Sequence, residues 1–149
     1  MTEKEFGNLL RRFKKRVDVP KGIKFIYSND YPYSLFGTMD GPRACFHPLF
    51  NEIWLKKSSN YSEFRVIASL CHEVAHARVE NRLKPEDSHH CSMWRRETSK
   101  LIKQATGLHC PEKLIGATTY HFNEKQLVLL DRRKNNPKKI RPHDVYTPF

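Results

Sequence analysis

Two histidines four residues apart, with a glutamate directly after the first, constrain this chain more than any other feature: His72-Glu73-Val74-Ala75-His76. On an α-helix, positions i and i+4 share a face, so both imidazoles can converge on one metal ion. Glu73 leaves the helix from a neighbouring part of its surface and can reach a water at that ion without being a ligand. The pattern demands a helix, a cleft beside it, and a further ligand from elsewhere in the chain. The competing interpretation is a helix that merely carries two exposed histidines.

The surrounding pattern predicts the elements that would hold such a helix. Residues 61–82 read as the motif helix, with Asn60 and Glu63 as caps and Phe64, Ile67, Leu70, Val74 and Ala77 as its buried stripe. An amphipathic helix over 3–17 precedes it, opened by a Thr2-x-x-Glu5 capping box, with Phe6, Leu9, Leu10, Phe13 and Val17 on one side. Strands are expected at 23–28, 34–39, 43–47 and 52–56. Asp40-Gly41 would form a hairpin turn, and short connections favour an antiparallel meander. A third helix runs to about Ala105, with Trp94, Thr98, Leu101 and Ala105 facing inward and Gly107 ending it. Thr119–Phe122 and Gln126–Leu130 read as strands. The order of elements predicts one α+β domain over residues 1–130 and a basic, flexible tail over 131–149.

Composition narrows the setting. With 149 residues, 38% hydrophobic content and nine Phe, the chain can bury a core. No run approaches a membrane span, and the charged start Met1-Thr2-Glu3-Lys4-Glu5 lacks a signal-peptide core, so no membrane partner is expected. The four Cys, at 45, 71, 91 and 110, form no C-x-x-C pair, which fits reduced thiols in a cytoplasm. Lys and Arg number 27 against 16 Asp and Glu, a net +11. The excess clusters at Arg11–Arg16 and again at Arg132, Arg133, Lys134, Lys138, Lys139 and Arg141. Arg132, Arg133, Lys138 and Lys139 are candidate nucleic-acid contacts, against the alternative of a solvated face and tail.

A catalytic zinc typically takes three protein ligands and leaves one position open. Beyond His72 and His76, the candidates are His89, His90, Cys91, Glu97 and His109. Both His89 and His90 stand just before a helix, from where a side chain can turn back to the motif. Glu97 would serve if a following helix donated the ligand. Spacing does not separate them. Tyr31, Tyr33, Tyr61 and Tyr120 are candidate donors to a reacting carbonyl, and Trp94 reads as a packing residue that steadies the third-ligand turn.

The runs His72-Glu73-Val74-Ala75-His76-Ala77 and His90-Cys91-Ser92-Met93-Trp94 resemble the SprT-like metallopeptidases, which include the Spartan-type proteases of DNA–protein crosslinks. That family carries HExxH-Ala, then His-Gly-x-x-(Phe/Trp), whose His is the third zinc ligand. The spacing from His90 to Trp94 matches; His89 does not. The resemblance spans about residues 1–110, with its specific motifs at 72–94. Cys91 stands where the family has Gly, and no paired Cys follow to build the zinc ribbon of many relatives.

The resemblance implies a zincin-like core of the minigluzincin type, with a small antiparallel sheet packed on the HExxH helix. It implies Zn2+ held by His72, His76 and His90, and Glu73 as the base that activates a zinc-bound water for peptide-bond hydrolysis. Protein or peptide would be the substrate, and DNA-associated proteins a candidate class. A cytoplasmic location is expected, in the host cytoplasm for a virally encoded chain, with nucleoid or nuclear association if DNA is bound. Three alternatives stand beside it, one of them an interaction protein that keeps the fold after activity has been lost. Another is a nucleic-acid-binding protein with a structural zinc. The third is a regulator-cleaving zincin that uses Glu97 as third ligand. A substrate peptide could also add as a strand beside 52–57, were that strand at the sheet edge.

Overall fold

The structure, a computed structural model, describes residues 1–30, 44–57, 62–116 and 123–133. The expected strands at 34–39 and Thr119–Phe122, the Asp40-Gly41 turn, the four candidate tyrosines and the tail beyond 133 lie outside those residues.

Helix α1 (Glu3–Arg16) begins at the expected capping box: Glu5 N–H donates to Thr2 Oγ1 at 3.1 Å, and Thr2 N–H to Glu5 Oε2 at 2.9 Å. Phe6, Leu9, Phe13 and Val17 are buried, whereas Leu10 is only partly covered. Phe6 stacks on Tyr27 at 4.5 Å, and the Tyr27 hydroxyl donates to the Met1 carbonyl at 2.6 Å. These contacts lay α1 against the sheet.

Strands β1 (Lys24–Ser28), β2 (Ala44–His47) and β3 (Glu52–Lys56) form one sheet in the order β1-β3-β2. The expectation of an antiparallel sheet is corrected here: β2 and β3 pair antiparallel, but β1 and β3 pair parallel, with Lys24 opposite Glu52 and Ser28 opposite Lys56. The four-residue turn at 48–51 suffices for a hairpin. Residues 29–43 are long enough to carry the chain to the far side, so β3 returns between the other two strands. Ile53, Trp54 and Leu55 are all buried, so both faces of β3 are covered and the expected alternation fails at Trp54. Its indole N–H is satisfied by Glu52 Oε2 at 3.0 Å. Strand addition beside 52–57 is excluded, because β3 has neighbours on both sides.

Helix α2 (Glu63–Val79) runs into a 3₁₀ turn (Glu80–Arg82) and is capped by Ser62, whose Oγ accepts from Arg65 N–H at 3.2 Å, not by Asn60. Val66, Leu70, Cys71, Val74, Ala75 and Val79 are all 1% exposed or less, while Ile67 and Ala77 are only partly buried. The single-stripe expectation assumed a surface helix. With residues buried on several faces, α2 is instead the central element. Helix α3 (Ser92–Thr106) buries Trp94, Thr98, Leu101 and Ala105 as expected and ends at Gly107, whose φ is 77°.

The strand expected at Gln126–Leu130 is corrected to helix α4 (Glu124–Arg133). Asn123 and Gln126 form a reciprocal cap, each side chain accepting from the other's N–H at 2.9 Å. That closure starts a helix, and the short apolar run after it suits either state. Helix α4 continues three residues past the boundary expected at 130.

Gly107 permits a direct measurement of the αL cap. A Cβ there would meet nothing within 4 Å. Gly107→Ala should therefore cost about 1–2 kcal/mol from backbone conformation alone. The measurement is the denaturant midpoint; an unchanged midpoint would mean that the chain leaves α3 by another route.

Candidate metal centre

Three of the predicted side chains meet. The donor atoms of His72, His76 and His90 lie within 4.8 Å of one another, and His72 Nε2 stands 3.2 Å from His76 Nε2. Two nitrogens each about 2.0–2.1 Å from one tetrahedral ion are about 3.3 Å apart, so the α2 pair already has ligand spacing. The three rings are half-buried, and their donor set suits a divalent transition ion.

Each ligand position has a local cause. His72 and His76 are one helical turn apart on α2. His90 is delivered by two consecutive turns between α2 and α3. In the first, Asp87 N–H donates to the Lys84 carbonyl at 3.0 Å, and Lys84 N–H to Asp87 Oδ2 at 2.8 Å. In the second, Cys91 N–H donates to the Ser88 carbonyl and His90 N–H to Ser88 Oγ, both at 3.2 Å. Cys91 then takes the N-cap of α3 with φ −68° and ψ 177°, an extended conformation open to any residue. The Cys in place of Gly therefore carries no backbone strain.

Trp94 is the packing platform of the cluster. It is fully buried, its ring centroid lies 4.6 Å from those of His72 and His90 and 5.3 Å from that of His76, and its indole donates to the His72 carbonyl at 3.2 Å. Burial pushes the His72 and His76 imidazoles down to about 3, helped by the neighbouring imidazoles, and burial lowers His90 as well. Neutral rings offer lone pairs at neutral pH, which is what a metal requires.

Glu73 is buried beside them, with Oε1 3.8 Å from His72 Nε2. Burial pushes its carboxyl up to about 8, partly offset by a hydrogen bond from the Phe46 backbone of β2. The sequence contains no signal for that donor, since any non-proline residue has an N–H.

The remaining candidates stand apart. His89 and His109 are exposed, and Cys91 and His89 are not in the cluster. Glu97 is buried on α3 and ion-paired, with Oε1 2.5 Å from Arg78 Nε and Oε2 4.0 Å from Arg82 Nη2. Arg78 also donates through Nη1 to the Asp18 carbonyl at 2.9 Å. Sequence reasoning missed this pair. The available signal was Glu97 itself, an acid at a position that the α3 stripe turns inward, where a charge needs a partner. Arg132 is exposed on α4; the side chains of Arg133, Lys138 and Lys139 lie outside the described residues.

Two measurements follow from these placements. Arg78→Met leaves Glu97 buried without its nearest partner and should cost about 3 kcal/mol. Adding Glu97→Leu should recover most of that loss; an additive double variant would show that the two side chains do not act as a pair. The second concerns pH. In metal-free protein, Glu73 is protonated in the folded state up to about 8 and in the unfolded state only to its ordinary value of 4.5. Stability therefore falls as pH rises through that window. Glu73→Gln should raise the Tm of chelated protein more at pH 8 than at pH 5, and a pH-independent difference would remove the buried-carboxyl account.

No family model, curated protein or solved structure matches the chain, and the chemistry of the site stands on its own residues.

Proposed function

We propose that the protein is a zinc-dependent endopeptidase of SprT-like type, with DNA-associated proteins as its candidate substrates. The observation that carries this reading is the buried Glu73 carboxyl, 3.8 Å from His72 Nε2 and beside three converging imidazoles. A structural ion needs no such group, and burying a carboxyl opposes folding at neutral pH. Its presence next to the donors favours hydrolysis over a structural zinc. The ion pair of Glu97 with Arg78 likewise favours His90 as third ligand.

His72, His76 and His90 would hold the zinc. When bound, zinc in a three-ligand site polarises a carbonyl and brings the pKa of a water to about 7. Glu73 takes a proton from the attacking water and returns it to the leaving amine, so one peptide bond and one water yield a carboxylate and an amine. A carboxyl whose pKa is raised toward neutrality can serve in both directions, and the positive charge of an ion would draw the value of about 8 down into that range. The Phe46 N–H orients the carboxyl, and Trp94 fixes the rings. The net charge of +11, with Arg132 exposed on α4, supports attraction to a polyanion on which substrates would be concentrated.

The test is cleavage of a DNA-bound protein by the zinc-loaded chain. Activity should vanish on chelation and fall with rising salt. Glu73→Gln should keep stoichiometric zinc and lose about 10²–10⁴-fold in kcat. Loss of zinc from that variant would make Glu73 part of the metal shell, undamaged cleavage would end the proposal, and full zinc occupancy in His90→Ala would refute the three-histidine site.

A further inference from the structure

An exposed apolar turn with cationic surroundings lies at the end of the sheet where β1 and β3 begin. The turn between β2 and β3 places Leu49 at 86% and Phe50 at 58% exposure, and they are the exposed large hydrophobics among the described residues. This tip is held against the α1–β1 connection. Asn51 Nδ2 donates to the Lys21 carbonyl at 3.4 Å, and Lys24 N–H donates to the Asn51 carbonyl at 3.0 Å. Lys21 and Lys24 are exposed beside it. The same connection borders a cleft of about 530 Å³ lined by Lys14, Lys15 and Arg16 with Val17, Val19 and Ile23. Leu49 thus projects from a turn whose surroundings are cationic, beside a half-exposed Phe50 whose ring lies 4.9 Å from that of His47, with Asp18 the exposed acid on the α1–β1 connection.

We propose that this end of the sheet is a peripheral docking surface for an anionic phospholipid bilayer. Leu49 and Phe50 enter the boundary between headgroups and acyl chains, and Lys21 and Lys24, tied to the turn through Asn51, face the anionic headgroups. Three features favour a bilayer over a nucleic-acid strand. The most exposed apolar residue is aliphatic, and single-strand binding uses planar rings that stack on bases. The flanking cations are lysines, point charges suited to a fluid array of anions, whereas Arg supplies the fork that fits a fixed phosphate; Arg16 is engaged with the Ala105 carbonyl at 3.0 Å. The apolar pair sits on a protruding turn, which enters a fluid layer more readily than it cradles a strand. No helix of the described residues is long and apolar enough to cross a membrane, so the association is superficial. The sequence offered no sign of it, because hydropathy registers spans and not two exposed side chains on a turn. The proposal uses no part of the metal centre and stands or falls apart from the hydrolase reading.

The test is co-sedimentation of the full chain with phosphatidylcholine vesicles, with and without phosphatidylserine, over a salt series. In parallel, anisotropy is measured with a labelled single-stranded oligonucleotide. Binding should require phosphatidylserine. The exposed double variant Leu49→Ser/Phe50→Ser should keep the wild-type Tm and weaken vesicle binding at least about tenfold. Each of Lys21→Glu and Lys24→Glu should weaken it about fivefold or more. Absence of vesicle binding by the wild type would overturn the proposal, as would full vesicle binding by the double variant. Retained vesicle binding with loss of the oligonucleotide in that variant would assign the surface to nucleic acid.

Discussion

The site depends on one side chain that ligates nothing. Trp94 is fully buried between α2 and α3, and its indole fixes the two helices by donating to the carbonyl of His72 at 3.2 Å. A helical carbonyl already accepts from the N–H four residues on, so this bond uses its second lone pair and leaves the helix intact. The ring faces all three imidazoles, from two helix positions and one loop. The helix and the two turns before α3 bring the three imidazoles together, and Trp94 packs against all of them, stacked on His76 and edge-on to His72 and His90. Without an ion, one α2 imidazole can donate to the other across 3.2 Å, and a metal would displace that proton.

Around this contact the fold places charge inside and satisfies it unequally. Glu97 has two arginines and serves to lock α3 to α2. Glu73 has one backbone donor and is left with its carboxyl pushed up to about 8. If stability alone governed both positions, each would be paired or replaced. The difference between two buried acids, one matched and one under-matched, is the physical ground on which the role proposed for Glu73 rests.

What was legible in the sequence follows how local its physics is. The Thr2–Glu5 box, the α3 stripe with its Gly107 cap, and the HExxH spacing involve residues a turn or so apart, and each appears as expected. His90 was distinguishable from His89 through resemblance to a family motif, not through spacing. The failures are of two kinds. Sheet pairing is decided by which partner β3 reaches across the molecule, and no local pattern encodes a parallel neighbour. For α4, Leu127-Val128-Leu129-Leu130 is too short an apolar run to choose a state, and the Asn123–Gln126 closure that decides it was overlooked. Trp54 belongs with the first kind, since its burial depends on what covers the other face of the sheet.

Two routes connect the proposed docking turn with the candidate metal centre: β2, whose Phe46 backbone holds Glu73 four residues before Phe50, and the connection between α1 and β1. The segment carrying Lys14–Lys24 reaches α2 through the Asp18 carbonyl, which accepts from Arg78, which in turn pairs with Glu97. That first link is an exposed hydrogen bond and contributes about 0.5–1.5 kcal/mol. A ligand at one end can shift an equilibrium at the other by no more than the difference it makes to the connecting contacts. Through this link, coupling is thus limited to roughly a tenfold effect. A ligand at the α1–β1 connection would therefore shift the candidate centre only weakly through that route. Any larger coupling would have to run along β2, where a shift of the turn at 48–51 would move the Phe46 backbone donor on which the Glu73 carboxyl rests.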